Sequence, residues 1–99
     1  MNKFKAIVMK AKDNVATVTE DIEAGSDIPI QVNGETVRLQ VTNRIPFGHK
    51  VALRDISRDE RIIKYGEVIG IATTDIMAGQ HTHVHNLVGC RGRGDLAGK

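Results

Sequence analysis

Three of the four histidines in this 99-residue chain lie within five residues, at alternate positions of the stretch AGQHTHVHN. Because successive side chains of a β-strand point to opposite faces, a strand here would place His81, His83 and His85 on one face. Neighbouring rings would be about 6.6 to 6.8 Å apart along the strand, and the outer pair about 13 Å apart. Two neighbours could then bind one metal ion, and all three only if the strand bends. The alternative interpretation is a row of solvated histidines on an edge strand.

Two further groups of residues could act on an anionic substrate. His49 follows a turn containing proline and glycine and stands beside Lys50. Lys64 and Tyr65 come at the end of a β-rich run, just before a glycine. An ammonium group is a point donor and a phenol both donates and accepts, so this pair could position an anion and offer a proton. The alternative for His49 is a surface histidine in a loop. The alternative for Lys64 and Tyr65 is a solvated lysine beside a half-buried tyrosine.

The C-terminal segment GCRGRGDLAGK holds four of the ten glycines. Arg91 and Arg93 lie on it, and a flexible arginine segment is suited to bidentate contact with a carboxylate. A mobile tail without a ligand is the alternative. Cys90 is the only cysteine, so no internal disulfide is possible and a cytoplasmic location is expected.

Composition restricts the class of protein. The chain is 40% hydrophobic with two Phe, one Tyr and no Trp, so we expect one domain with an aliphatic core. The net charge is +2, with acidic and basic residues interspersed, which favours neither a nucleic-acid nor a membrane partner. No segment approaches the roughly 20 apolar residues of a membrane span.

Short β-rich runs separated by turn residues predict an all-β fold. Residues 4–10 and 15–19 are predicted to form one hairpin, and Asn33-Gly34 marks the turn of a second. The alternation over residues 49–56 predicts another strand. At most one helical turn fits near residues 57–60, and we identify no internal repeat.

Several stretches together resemble the SAF domain of the altronate and galactarate dehydratase family. They are KAIVMKAKDNVATV, IPFGHKVALRDI and IIKYGEVIGIATTDIMAGQHTHVHNL. The resemblance implies a small β-clip fold related to the antifreeze-like domain of sialic acid synthases. Residues 4–87 would form this SAF domain, and residues 88–99 a flexible tail.

The resemblance also implies a chemistry, the β-elimination of a sugar acid or related hydroxy acid with the help of a divalent metal, Fe2+ or Mn2+. A metal ion can act as a Lewis acid while a histidine or lysine transfers protons. We expect metal contacts from His81, His83 and His85. The expected catalytic residues are His49, Lys64 and Tyr65, and the expected substrate-binding residues are Lys50, Arg91 and Arg93.

In this family the domain is either the N-terminal part of a much longer chain or a separate small subunit, as in sulfolactate sulfo-lyase. The present chain resembles the second arrangement. We therefore expect a separate large catalytic subunit, without which the chain is inactive, and apolar surface covered by that subunit or by a homo-oligomer. The alternatives are a small subunit that releases sulfite, a non-catalytic module that caps a partner, and a general metal-binding protein.

Overall fold

A computed structural model describes residues 6–8, 12–32 and 34–89 of the protein. These residues form strands and turns without a helix, which confirms the predicted all-β fold. The possible helical turn at residues 57–60 is a β-turn, in which Glu60 N donates to Ser57 O at 2.9 Å. Asp59 has a φ of 73° there, which a right-handed helix excludes. Among the described residues there is no helix that could cross a membrane.

The strands of the described residues lie in two sheets. In chain order they are β1 (Ala6–Ile7), β2 (Val15–Val18), β3 (Asp27–Val32), β4 (Glu35–Gln40), β5 (Lys50–Ala52), β6 (Arg61–Lys64), β7 (Glu67–Ala72), β8 (His81–Thr82) and β9 (Leu87–Gly89). The six-stranded sheet has the order β4-β3-β1-β2-β5-β8, and the three-stranded sheet has the order β6-β7-β9. Strands β1 and β3 pair in parallel, and the other pairs are antiparallel.

Both predicted hairpins are confirmed. Strands β1 and β2 are antiparallel neighbours, and β3 and β4 pair up to Val32 opposite Glu35. Gly34 in the second turn has a φ of 85°, the conformation that made Asn-Gly a hairpin signal, while Asn33 lies outside the described residues. The strand predicted over residues 49–56 is shorter, because β5 ends at Ala52 and a new turn unit begins soon afterwards.

The core consists of two aliphatic clusters separated by β2 and β5. Neighbouring residues on each strand face opposite clusters, as Val15 and Ala16 do on β2, and Ala52 and Val51 on β5. One cluster packs against the first sheet and includes Ile30 and other side chains from β1 to β5. The second lies towards the three-stranded sheet. The strand pair β2–β5 therefore packs against one cluster on each of its two faces.

A turn unit that we did not identify in the sequence occurs four times among the described residues. In each copy an isoleucine forms an isolated β-bridge, a β-turn follows, and a strand begins. The units span residues 21–28, 44–51, 55–62 and 75–82, and their sequences are DIEAGSDI, RIPFGHKV, DISRDERI and DIMAGQHT. The bridges pair Ile22 with Ile45 and Ile56 with Ile76. The third residue of each turn has a positive φ: Gly25, Gly48, Asp59 and Gly79.

Aspartates at the start of the units bind the turn of the bridged partner. The Oδ1 atom of Asp21 accepts from Phe47 N at 2.7 Å, that of Asp55 from Ala78 N at 2.9 Å, and that of Asp75 from Arg58 N at 2.8 Å. A buried isoleucine bridge and a carboxylate that satisfies a turn N–H thus fix each pair of turns. Two of these units lead into β5 and β8, which carry the histidines.

The units provide a test of what the left-handed glycine contributes. Gly25 and Gly79 have φ values of 87° and 89°, but only at Gly79 would an added Cβ clash with a backbone atom, the carbonyl oxygen of Gln40. Gly25→Ala should lower the free energy of unfolding by about 1–2 kcal/mol, the cost of a left-handed alanine. Gly79→Ala should cost about 1–3 kcal/mol more, because Gln40 must move. Urea unfolding of both variants measures the difference, and equal losses would contradict the clash.

Candidate functional site

The antiparallel pairing of β5 with β8 brings the histidine-bearing segments together. Val51 lies opposite His81, and Lys50 lies opposite Thr82. Continuing this register by one residue places His49, just before β5, beside His83, just after β8. The backbone of His49 is held by the neighbouring β2, where Val18 N donates to its carbonyl at 2.9 Å. Two segments far apart in the chain therefore present their imidazoles at the same corner of the sheet.

All four imidazole rings belong to one cluster. The Nδ1 atom of His49 lies 2.9 Å from Nε2 of His81, within hydrogen-bond distance. The rings of His49 and His83 stack with centroids 3.9 Å apart and an interplanar angle of 9°. The His85 ring is tilted against that of His81, at 5.0 Å and 40°. Since a hydrogen bond between two ring nitrogens needs one of them unprotonated, His49 and His81 are not both imidazolium ions.

The path of the chain through the cluster differs from the predicted strand over residues 81–85. Strand β8 contains only His81 and Thr82, and the backbone then turns, with Asn86 N donating to His83 O at 3.0 Å. Val84, the next apolar residue of the alternating pattern, is 80% exposed, so the buried face of the strand ends at Thr82. A turn, rather than a straight row, brings the rings together.

Three of the rings bring their nitrogens close enough together to hold one metal ion, and we call these three rings the donor set. One nitrogen each from His49, His81 and His83 lies within 4.8 Å of the others. Imidazole nitrogens gathered in this way are typical ligands of divalent transition metals. The Nδ1 atom of His83 is buried and makes no hydrogen bond with the described residues, so it has a lone pair or proton to offer a ligand. Of the expected ligands, His81 and His83 belong to the donor set, which also includes His49, and His85 stands exposed beside it.

Burial and the nearby charges favour the neutral form of His81 and of His83. Burial, followed by the neighbouring His85, His49, His83 and Lys50, lowers the pKa of His81 to about 4. Burial and then the charges of His49, Lys50 and His85 also lower the pKa of His83. At neutral pH both rings are in the form that binds metals, which is the unprotonated one.

Lys50 brings a positive charge to the edge of the cluster. The register places its side chain on the face shared with Thr17 and Thr82, opposite to that of Val51 and His81. Its pKa is lowered by partial burial and then by the charge of Lys64. Lys50 also lowers the pKa of both His81 and His83, so its charge reaches the cluster from the neighbouring face.

Lys64 and Tyr65 stand on the other sheet, at the turn between β6 and β7. The Nζ atom of Lys64 lies 4.9 Å from the centroid of the Tyr65 ring, a cation–π contact. Tyr65 has a φ of 57°, unusual for an aromatic residue. The charge of Lys64 thus acts on Lys50, and the ring of Tyr65 contacts the ammonium group of Lys64. Arg91 and Arg93, and most of the predicted tail, lie outside the described residues.

Sequence reasoning missed two residues that support these groups. Asp13 is buried, and its carboxylate accepts from Tyr65 N at 3.0 Å and from Gly66 N at 2.8 Å, which holds the strained turn. Asn43 accepts through Oδ1 from His81 N at 3.1 Å. Asp13 and Asn14 lie between the two strands of the first predicted hairpin, and nothing nearby in the sequence indicates their distant partners.

Comparisons with known proteins identify relatives of the whole described domain. The sequence matches the family described as altronate/galactarate dehydratase SAF domain over residues 4–89. It is 39% identical over 84 residues to (2R)-sulfolactate sulfo-lyase subunit alpha of Chromohalobacter salexigens, which covers 82% of this chain and 89% of that subunit. It is 41% identical over 80 residues to altronate dehydratase of Escherichia coli, covering 81% of this chain and 15% of that protein.

Galactarate dehydratase (L-threo-forming) of Escherichia coli is 45% identical over 69 residues, which are 68% of this chain and 12% of that enzyme. The chain thus spans most of the sulfo-lyase subunit but less than a sixth of either dehydratase.

The lowered pKa of His81 predicts how stability depends on pH. In the unfolded chain His81 titrates near its ordinary value of 6.5, and in the folded chain near 4, so the unfolded state binds more protons between these values. Without metal, the free energy of unfolding should therefore fall as the pH decreases from about 6.5 to about 4, and the lowered pKa of His83 acts in the same direction. In His81→Gln the fall should be shallower.

Thermal unfolding of both proteins with a chelator, from pH 7.5 to pH 4, measures this difference. Carboxylates titrate in both chains, so they cancel in the comparison. Parallel curves for wild type and His81→Gln would contradict the assignment.

Proposed function

Because the chain belongs to the altronate/galactarate dehydratase SAF domain family, we propose that it is the small subunit of a two-chain lyase acting on a hydroxy acid. The observation that carries this proposal is the convergence of His49 with His81 and His83 into one donor set. The match to 89% of a protein named subunit alpha supports the two-chain arrangement. A separate large chain would then complete the active site.

Exposed apolar side chains beside the histidines support a partner at this corner. Phe47, two residues before His49, is 68% exposed, and Val84 lies between two of the clustered histidines. Large exposed apolar groups next to a polar site are typical of surfaces that another chain covers. The proposed large subunit would bind here and shield the site from water.

We propose that His49, His81 and His83 hold a divalent metal ion. The donor set fits such an ion, since burial lowers the pKa of both His81 and His83, and Nδ1 of His83 is buried without a partner among the described residues. Nitrogen donors suit Fe2+ better than Mn2+, which prefers carboxylates. When bound, the ion would supply Lewis acidity towards an oxygen of the substrate. Oxygen ligands from the large subunit would complete its coordination.

The proposed reaction is a β-elimination. A base removes the proton from the carbon next to the carboxylate, and the electron pair forms a C=C bond as hydroxide leaves the adjacent carbon. Lys50 and Lys64, as ammonium ions, would attract the carboxylate. Tyr65, held beside Lys64, can donate a proton. Arg91 and Arg93 stay predictions for substrate binding.

Two classes of substrate are consistent with this chemistry. Dehydration of a sugar acid such as altronate or galactarate releases hydroxide, which leaves as water once protonated. Elimination from sulfolactate releases sulfite instead, and this second candidate is favoured by the match to nearly the whole sulfo-lyase subunit. A module that only caps its partner would share the fold but would not need the histidines.

Reconstitution tests the proposal. The chain is co-expressed with the large chain of a dehydratase or sulfo-lyase of this family, and elimination of altronate, galactarate and sulfolactate is measured together with bound metal. His49→Ala and His83→Ala should each lower kcat/KM by about 100-fold or more and reduce the metal content, since each removes a donor.

The control is Arg38→Ala, an exposed residue on β4, at the opposite edge of the six-stranded sheet from β8. It should leave activity and metal content unchanged. Full activity of both histidine variants would contradict a catalytic role for the cluster and would favour a module that only caps its partner.

A further inference from the structure

The side chain of Asn86 holds the backbone on which two of the clustered histidines stand. It is 5% exposed, and both ends of its carboxamide are bonded. Its Oδ1 atom accepts from His83 N at 2.9 Å, and its Nδ2 atom donates to His81 O at 2.9 Å. Its own backbone N–H donates to His83 O at 3.0 Å. The carboxamide thus takes the place of a neighbouring strand's peptide group where β8 ends.

The same three hydrogen bonds occur once more among the described residues, at Asn14. Its Oδ1 atom accepts from Ile63 N at 2.7 Å, its Nδ2 atom donates to Arg61 O at 2.9 Å, and its N–H donates to Ile63 O at 3.0 Å. Asn14 is 0% exposed. This copy ties β2 to β6, in a part of the fold that carries no histidine. Asn14 is therefore a matched reference for what such a contact contributes to stability alone.

What differs is the pair of residues held. At Asn86 they are His81 and His83, which supply two of the three nitrogens in the donor set. Without the carboxamide, the His83 N–H and the His81 C=O would lose their partner, and the turn after β8 would be closed by one backbone bond. The carbonyl of Asn86 also accepts from Thr73 N, just beyond β7, at 3.0 Å. The turn is thereby anchored to the three-stranded sheet.

We infer that Asn86 is a positioning residue for the metal-binding histidines, fixing the backbone of His81 and His83 so that their rings meet that of His49. The inference rests on the proposed metal site. Asn86 itself donates no ligand atom, because both ends of its side chain are engaged with the backbone. Residues that orient the side chains of metal ligands typically contribute about 10- to 100-fold to metal affinity, and we expect an effect of this size from fixing the backbone of two ligands.

The test compares Asn86→Ala with Asn14→Ala in the full chain. Co2+ is the probe, because its visible absorption reports on the ligands and geometry around the ion. Both variants should lower the free energy of unfolding, since each leaves two backbone groups without a partner. Only Asn86→Ala should weaken Co2+ binding, by about 10- to 100-fold, and alter the absorption spectrum. If either alanine variant does not fold, the pair Asn86→Ser and Asn14→Ser replaces it.

The histidine ring resonances of the metal-free chain give a second measurement. Those of His81 and His83 should shift in the Asn86 variant and stay in place in the Asn14 variant. Equal losses of Co2+ affinity in both variants, or wild-type affinity and ring resonances in a folded Asn86 variant, would overturn the inference. If wild type itself does not bind Co2+, the proposed metal site fails, and the ring resonances alone decide whether Asn86 positions the histidines.

Discussion

The site depends on the pairing of β5 with β8, which joins segments whose histidines stand 32 residues apart in the chain. Val51 and Thr82, on these strands, are fully buried, so both faces of the pair are held by packing. The preceding turn adds hydrogen bonds, from Ala52 N to Gln80 O at 3.0 Å and from Gly79 N to Ala52 O at 2.8 Å. Because this pairing fixes where His49 meets His83, anything that shifts its register separates the donors.

The repeated turn unit explains how so short a chain builds this pairing with few aromatic residues. Each bridge buries two isoleucines, and each carboxylate satisfies a turn N–H that would otherwise lack a partner. The sequence contains this repeat, but its copies differ at the positions that define it. Asp59 takes the left-handed position that glycine occupies in the other copies, and Arg44 stands where the others have aspartate. No single pattern of residue types covers all four units, and the short strands between them vary.

Local signals were enough for the two hairpins and for the all-β class, because alternation and the Asn33-Gly34 dipeptide act over a few residues. The resemblance carried by the histidine and lysine motifs indicated the family. Contacts between distant residues could not be predicted in the same way. Asp13 binds backbone 53 residues further on, and the turn after Thr82 depends on Asn86 being buried beneath it. Such bonds depend on which segments the fold brings together, and the sequence near each residue does not indicate them.

X-ray absorption spectroscopy of the iron-loaded chain tests the central claim most directly, because outer-shell scattering counts the imidazoles around the metal. The donor set of His49, His81 and His83 predicts three imidazoles in wild type and two in His49→Ala. A first shell of oxygen alone, or an imidazole count unchanged by His49→Ala, would contradict the convergence of these two segments on one ion.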